Sequence, residues 1–286
     1  MKYFVGAYRH MKKIHKLQYT FKSDVLFKML FIKNTNLLKR LLSTLLEIPY
    51  ENIDNFIIRN TEIPPEEIGK KFCRLDINMT VNDVLVSIEI QVANEGNYKD
   101  RSLYNWSKIF VSSLGTGENY KDTPKVITIN ILDFILFDDN KEVHSEYKLL
   151  EVTRYTQLTD KMSIHFFELP KLNEIESLNF KDKKQLWLAL FNAETKEELD
   201  ILQQIGGDVM AQAIEAYESI TADKDFIELE RLRAKTRFNE SHALYHAEQR
   251  GARKRDEFWQ TEVDKQKSEI EKLQQKIKEL ETPQRT

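Results

Sequence analysis

The chain has 286 residues, 41 % of them hydrophobic and 31 % charged, with a formal net charge of −3. That length suits one sizeable core with an appended module or two modest domains, and the near-neutral balance does not announce a nucleic-acid binder through bulk electrostatics. Cys73 is the only cysteine, which excludes intrachain disulfides and thiolate metal clusters and fits a reducing compartment.

The first fifty residues are basic, with Lys2, Arg9, Lys12, Lys13, Lys16, Lys22, Lys28, Lys33, Lys39 and Arg40 against only Asp24 and Glu47. Such a run suits either a phosphate-facing surface or a solvated helix face. Met1 to Thr20 lacks the apolar stretch and small-residue cleavage site of a secretory signal, and no apolar run reaches the roughly eighteen residues of a membrane span. A cytoplasmic protein with no membrane partner is expected.

Ser23-Asp24 ahead of Val25, Leu26, Met29 and Leu30 predicts a short helix, and leucines from Leu37 to Leu46 predict a second one over 36–47 that stops before Pro49. A strand over 53–60, a loop at Ile63-Pro64-Pro65-Glu66 and a hairpin over 72–92 follow. The spacing then predicts a helix over 100–113 with Leu103, Trp106, Ile109 and Phe110 inward, and strands over 125–132, 147–152 and 162–169. The result is a mixed α/β core, spanning residues 1–180. A helical extension is expected over 181–222, with helices at 183–193, 197–205 and 208–217, and a long charged helix over 223–286, interrupted at Gly251.

The hairpin carries the chemistry. Leu75, Ile77, Met79 and Val81 alternate with Asp76, Asn78 and Thr80, Asn82-Asp83 suits a two-residue turn, and Val84, Val86, Ile88, Ile90 and Val92 continue the apolar side. If Val81 faces Val84, Asp76 lies opposite Glu89, with β-carbons about 4.5–5.5 Å apart, and Gln91 sits diagonally on the same face. A one-residue slip would separate the two acids. Polar residues on one hairpin face are often only its solvated side, yet opposed like charges cost stability unless something positive lies between them. A divalent cation, Mg²⁺ or Mn²⁺, suits the pair, with the Ile90 carbonyl and water among its ligands. Asp24 is a candidate third carboxylate, equally well explained as a first-turn acid. Lys28, one turn on, and Arg101 with Tyr104, three apart on the next helix, are candidate phosphate contacts, and an exposed arginine in a charged turn explains Arg101 equally well.

Other chemistry finds little support. No His-Glu-x-x-His, Gly-x-Ser-x-Gly or phosphate-loop pattern occurs. His10 and His15 fall in the basic stretch, and His242 and His246, one helical turn apart, are better read as a surface pair than as a metal site. Glu168 reads as structural. In the tail, Val263, Ile270 and Ile277 alternate with Trp259, Gln266, Leu273 and Leu280 at spacings of four and three. That arrangement favours a parallel two-stranded coiled coil and a homodimer, although Gln266 weakens the seam and a lone solvated helix is the other reading.

The motifs together resemble the PD-(D/E)XK nuclease superfamily, and within it the Rpn family of recombination-promoting nucleases, also described as transposases. The resemblance rests on Phe21-Lys22-Ser23-Asp24-Val25-Leu26-Phe27-Lys28-Met29-Leu30-Phe31, Arg74-Leu75-Asp76, Ile88-Glu89-Ile90-Gln91 and Arg101-Ser102-Leu103-Tyr104. It continues through Asn105-Trp106-Ser107-Lys108, Gly117-Glu118-Asn119-Tyr120, Phe167-Glu168-Leu169-Pro170-Lys171-Leu172 and Lys184-Gln185-Leu186-Trp187, covering about the first 190 residues in order. It implies a restriction-endonuclease-like mixed sheet with flanking helices, and metal-dependent hydrolysis of DNA to 5′-phosphate and 3′-hydroxyl ends. Asp76 would be the metal-binding aspartate, Glu89 the glutamate of the E-x-K element and Asp24 the acid of the first helix. Gln91 stands where most of the superfamily has lysine; it can hydrogen-bond the attacking water but brings no charge. The opposing reading is a nucleic-acid- or protein-binding module on a nuclease-like core. A cation shared by both acids would mark the enzyme, and a lysine or arginine filling their gap would mark the binder.

Overall fold

A computed structural model describes residues 15–60, 62–63, 73–74, 76–94, 96–115, 117–172, 179 and 181–281. Pro64, Pro65, Glu66, Phe72 and Leu75 of the expected loop and hairpin lie outside these residues, as do Lys2, Arg9, His10, Lys12 and Lys13.

Helix α1 (Asp24–Lys33) starts where the Ser23 hydroxyl accepts the Leu26 amide, and α2 (Thr35–Leu45) follows it directly. Strands β1 (Phe56–Ile58), β2 (Glu62–Ile63), β3 (Cys73–Arg74), β4 (Ile77–Val81) and β5 (Val84–Gln91) come next. Helix α3 (Tyr98–Ser112) leads to β6 (Val126–Leu132), β7 (His144–Tyr147) and β8 (Met162–Glu168), the last running into the single turn α4 (Leu169–Leu172). Then come α5 (Lys183–Asn192), α6 (Lys196–Ile205), α7 (Gly207–Thr221) and α8 (Lys224–Glu281).

The β4–β5 turn sets the register. Asn82 and Asp83 both have left-handed backbone, φ 47° and 65°, the type I′ geometry that matches the twist of flanking strands and that Asn and Asp tolerate. Asn82 accepts the Asp54 and Asn55 amides, each at 3.1 Å, and donates to the Asn52 carbonyl. Val81 therefore meets Val84, and the ladder runs to Ile77 opposite Ile88, the expected register. Asn82→Ala removes these bonds while keeping the left-handed backbone. It should cost about 2 kcal/mol in urea denaturation, and an unchanged midpoint would show that the turn does not set the hairpin.

Six strands form one sheet in the order β1-β4-β5-β6-β8-β7, in which β5, β6 and β8 run parallel and the outer pairings are antiparallel. On one face Ile77, Met79, Val86, Ile88, Ile129, Ile131 and Phe167 pack against Leu26, Phe27, Leu30 and Phe31 of α1, Leu38 and Leu41 of α2, and Trp187 and Phe191 of α5. Helices α6 and α7 add Leu202, Met210 and Ile214 to this core. The opposite face carries α3, with Ile109 against Leu85 and Val126, and Tyr98 beside Leu132, Ile164 and Phe166.

This second layer decides between the two readings of the hairpin's polar side. The polar side of the hairpin is largely removed from solvent: Asn78, Ser87 and Glu89 are buried on the face of the sheet that carries α3, as are Thr128 and Asn130 of β6. On α3 itself Leu103 faces out, 50 % exposed, while Tyr98, Ser102, Asn105 and Ile109 face in. Trp106 is half-buried and its indole donates to the Val126 carbonyl at 3.1 Å. The strand expected over 147–152 is displaced to His144–Tyr147.

Glu168 is structural, as expected. It is fully buried, accepting the Leu136 and Phe137 amides at 2.6 and 3.0 Å through Oε1. Its Oε2 meets the Lys171 ammonium at 2.7 Å, an ionic contact without the direction of a hydrogen bond.

The chain divides into two compact units, the first ending at Phe226 and the second beginning at Ile227. From Ile227 on, α8 lies in the second and runs unbroken through Gly251, against expectation; one glycine costs a helix interior only about 1 kcal/mol. Trp259, Val263, Ile270, Leu273 and Ile277 are 41–60 % exposed along it. Among the described residues no helix is long and apolar enough to cross a membrane.

Candidate active site

Asp76 and Glu89 meet where β4 begins. Glu89 lies on β5 in the layer facing α3, and the register carried one step beyond Ile77–Ile88 puts Asp76 opposite it. Two bonds lock the corner: the Asp76 amide donates to Glu89 Oε1 at 3.1 Å, and the Ile90 amide donates to Asp76 Oδ2 at 2.9 Å. From the opposite helix layer, Lys28 of α1 extends its ammonium to Asp76 Oδ1 at 3.2 Å.

The electrostatics are unbalanced. Glu89 is 5 % exposed, and burial, reinforced by the Asp76 charge, pushes its carboxyl up to about 8. Burial also raises the Asp76 carboxyl, opposed by the Ile90 amide and Lys28. Desolvation disfavours two adjacent negative charges, and a divalent cation relieves it directly. Lys28 does fill one side of the gap, as the binding-module reading required, but it touches Asp76 and not Glu89. Two hard oxygen donors, whose charge the described side chains balance only in part, fit Mg²⁺ or Mn²⁺.

The remaining expected residues divide. Asp24 is near enough for its charge to raise the Asp76 carboxyl, yet among the described residues no three Asp, Glu, His or Cys side chains gather as a ready metal cluster. Gln91 turns away, donating through Nε2 to the Ala93 carbonyl at 3.2 Å. Arg101 lies over the Tyr98 ring at 5.8 Å and lowers the Glu89 carboxyl by its charge, so it belongs to the site's rim. Tyr104 packs instead beside Leu85, Ile109 and Val126, at the other end of β5.

Two buried residues escaped the sequence reading. Asn130 pairs with Glu89 across β5 and β6, accepting the Tyr98 hydroxyl at 3.0 Å and donating to the His165 carbonyl at 3.0 Å. Thr128 and Asn130 interrupt the apolar run of β6 at period two, the signal that marks them. Beside Tyr98 an open cleft of about 350 Å³ is lined by Asn94, Asn97, Lys99 and Leu136.

Three of the described basic residues near the N-terminus are engaged within the protein. Lys22 is buried in ion pairs with Asp133 at 2.7 Å and Glu194 at 3.4 Å, Lys39 lies over Phe56, and Arg40 lies over Tyr50.

A mixed six-stranded sheet flanked by helices, with paired acids at the β4–β5 corner, defines a restriction-endonuclease-like α/β fold. Residues 21–247 match the family model of the PD-(D/E)XK nuclease family transposases, and the chain belongs to that family. Neither the curated proteins nor the solved structures compared with it gave a match. The chain is thus nuclease- or transposase-related, and its family implies a DNA substrate.

Proposed function

We propose that this chain is a divalent-metal-dependent DNA endonuclease of recombination or mobile elements, acting in the cytoplasm. The observation that carries this reading is the buried, opposed Asp76–Glu89 pair, whose charge no side chain among the described residues balances in full. Asp76 and Glu89 would hold Mg²⁺ or Mn²⁺, with Asp24 reaching it directly or through water. The Ile90 carbonyl would be a further ligand, since a strand residue's amide and carbonyl face the same neighbour and the Ile90 amide already faces Asp76. The cation would lower the pKa of a bound water and polarise the phosphate.

The protein groups supply position. Arg101 clamps a non-bridging phosphate oxygen, and Gln91, rotated from Ala93, orients the water. The water oxygen bonds to phosphorus as the P–O3′ bond breaks; the water gives one proton to solvent and the departing O3′ takes one up. Products carry 5′-phosphate and 3′-hydroxyl ends.

The test is cleavage of supercoiled and linear DNA by the full chain with Mg²⁺ or Mn²⁺, with EDTA and Asp76→Ala as controls. Cutting that EDTA and the folded variant both abolish supports the nuclease. The Lys28–Asp76 contact favours the alternative, a binding module. DNA binding without cutting would select it.

The exposed stripe on α8 is proposed to pair with a second copy in a parallel coiled coil. In-register pairing puts Gln266 against its own counterpart, so its amide is not left alone among apolar side chains. It also sets Glu262 of one copy beside Lys267 of the other. Sedimentation equilibrium should show a dimer that Ile270→Asn converts to monomer; a monomeric parent protein would refute the pairing.

A further inference from the structure

In-line attack on a phosphodiester builds negative charge on the phosphoryl oxygens and needs a held water, tasks suited to an ammonium group. Gln91, beside the acids on β5, has no charge and points at Ala93. Lys22 is buried between Asp133 and Glu194. Arg101 sits on the Glu89 side, over Tyr98. Among the described residues, the ammonium that touches the carboxylate pair, at Asp76, is that of Lys28, delivered from α1, a different layer of the fold, with its side chain 23 % exposed.

Resting on the nuclease reading above, we propose that Lys28 is a metal-released catalytic lysine: held on Asp76 Oδ1 in the free protein, displaced when a divalent cation takes that oxygen, and then bound to the attacking water and the phosphoryl oxygen. A carboxylate oxygen in contact with a dication is a poor partner for an ammonium 3.2 Å away. The lysine stem is long and flexible enough to let the charge move without moving α1. The contact that looks like a neutralised, inactive acid is thereby the resting state of the catalytic cation.

Two readouts with different signs separate this role from a structural one. Mn²⁺ binding to the full chain without DNA, measured by titration calorimetry, should be no weaker in Lys28→Met than in the parent, because a competing cation has gone. Single-turnover cleavage of supercoiled DNA at saturating Mn²⁺ should fall about 100-fold, the scale of losing one preorganised charge donor. Lys28→Arg should recover much of the rate. Weakened Mn²⁺ binding with full cleavage at saturation would make Lys28 a metal-site support and overturn the inference. A Lys28→Met protein that cuts at the parent rate would do the same. If the parent binds Mn²⁺ through Asp76 and Glu89 but does not cut, the nuclease reading itself falls and takes this inference with it.

Discussion

Glu89→Gln should stabilise the metal-free protein at pH 8 while abolishing the metal-dependent cutting proposed for it. Burial and the Asp76 charge push the Glu89 carboxyl up to about 8, far above its value in an unfolded chain. Between the two values the folded state carries a proton that the unfolded state has lost, so stability falls as pH rises through that window and levels off above pH 8. The glutamine removes this penalty. It can still accept the Asp76 amide through its carbonyl oxygen, the bond that Glu89 Oε1 now makes at 3.1 Å. A gain of about 2–4 kcal/mol is expected at pH 8, shrinking toward zero at pH 4.5, in urea denaturation with EDTA present. Cleavage should fall by more than about 100-fold, since even residues that merely orient metal ligands are worth about 10–100-fold. A variant less stable than the parent at pH 8 would mean that the Glu89 charge is already balanced in the free protein. The motive for placing a cation there would then disappear. The opposed signs are those of a site that keeps its acids at a cost to the fold.

Much of this corner could be read in the sequence because its determinants are local. Asn82-Asp83 accepts the left-handed turn, period-two alternation sorts the faces, and the two together place Asp76 opposite Glu89. Alternation reports which residues share a face but not what covers it, so the burial of Asn78, Ser87 and Glu89 on the face of the sheet that carries α3 was invisible. Leu103 misled for a related reason: α3 covers a polar sheet face, and it turns Ser102 and Asn105 toward that face in place of a continuous apolar stripe. The displaced strand has another cause. Leu149, Leu150, Val152 and Leu158 supply an apolar signal from an exposed loop, while β7, at the sheet edge, contains Ser145 and Glu146. The Lys28–Asp76 contact joins residues far apart in the chain and from different layers, which no local pattern encodes.

The largest loss of stability is expected from Lys171→Met. Lys171 is 2 % exposed and Glu168 fully buried, and their contact closes the end of β8 against the loop that follows β6. Glu168 holds the Leu136 and Phe137 amides, and Lys171 donates to Asn140 Oδ1 at 3.0 Å, so one ion pair anchors that loop at two places. The same loop lends Leu136 to the cleft beside Tyr98. Methionine fills most of the lysine stem's volume but leaves Glu168 as an unpaired charge out of water, which costs about 3–5 kcal/mol. Adding Glu168→Gln should return at least half of the loss, because the glutamine carbonyl still accepts both amides and no charge is left buried. Urea denaturation of the single and double variants measures the difference. If the double variant is no better than Lys171→Met alone, the loss comes from packing and the Asn140 bond, and the loop is held by shape and not by charge.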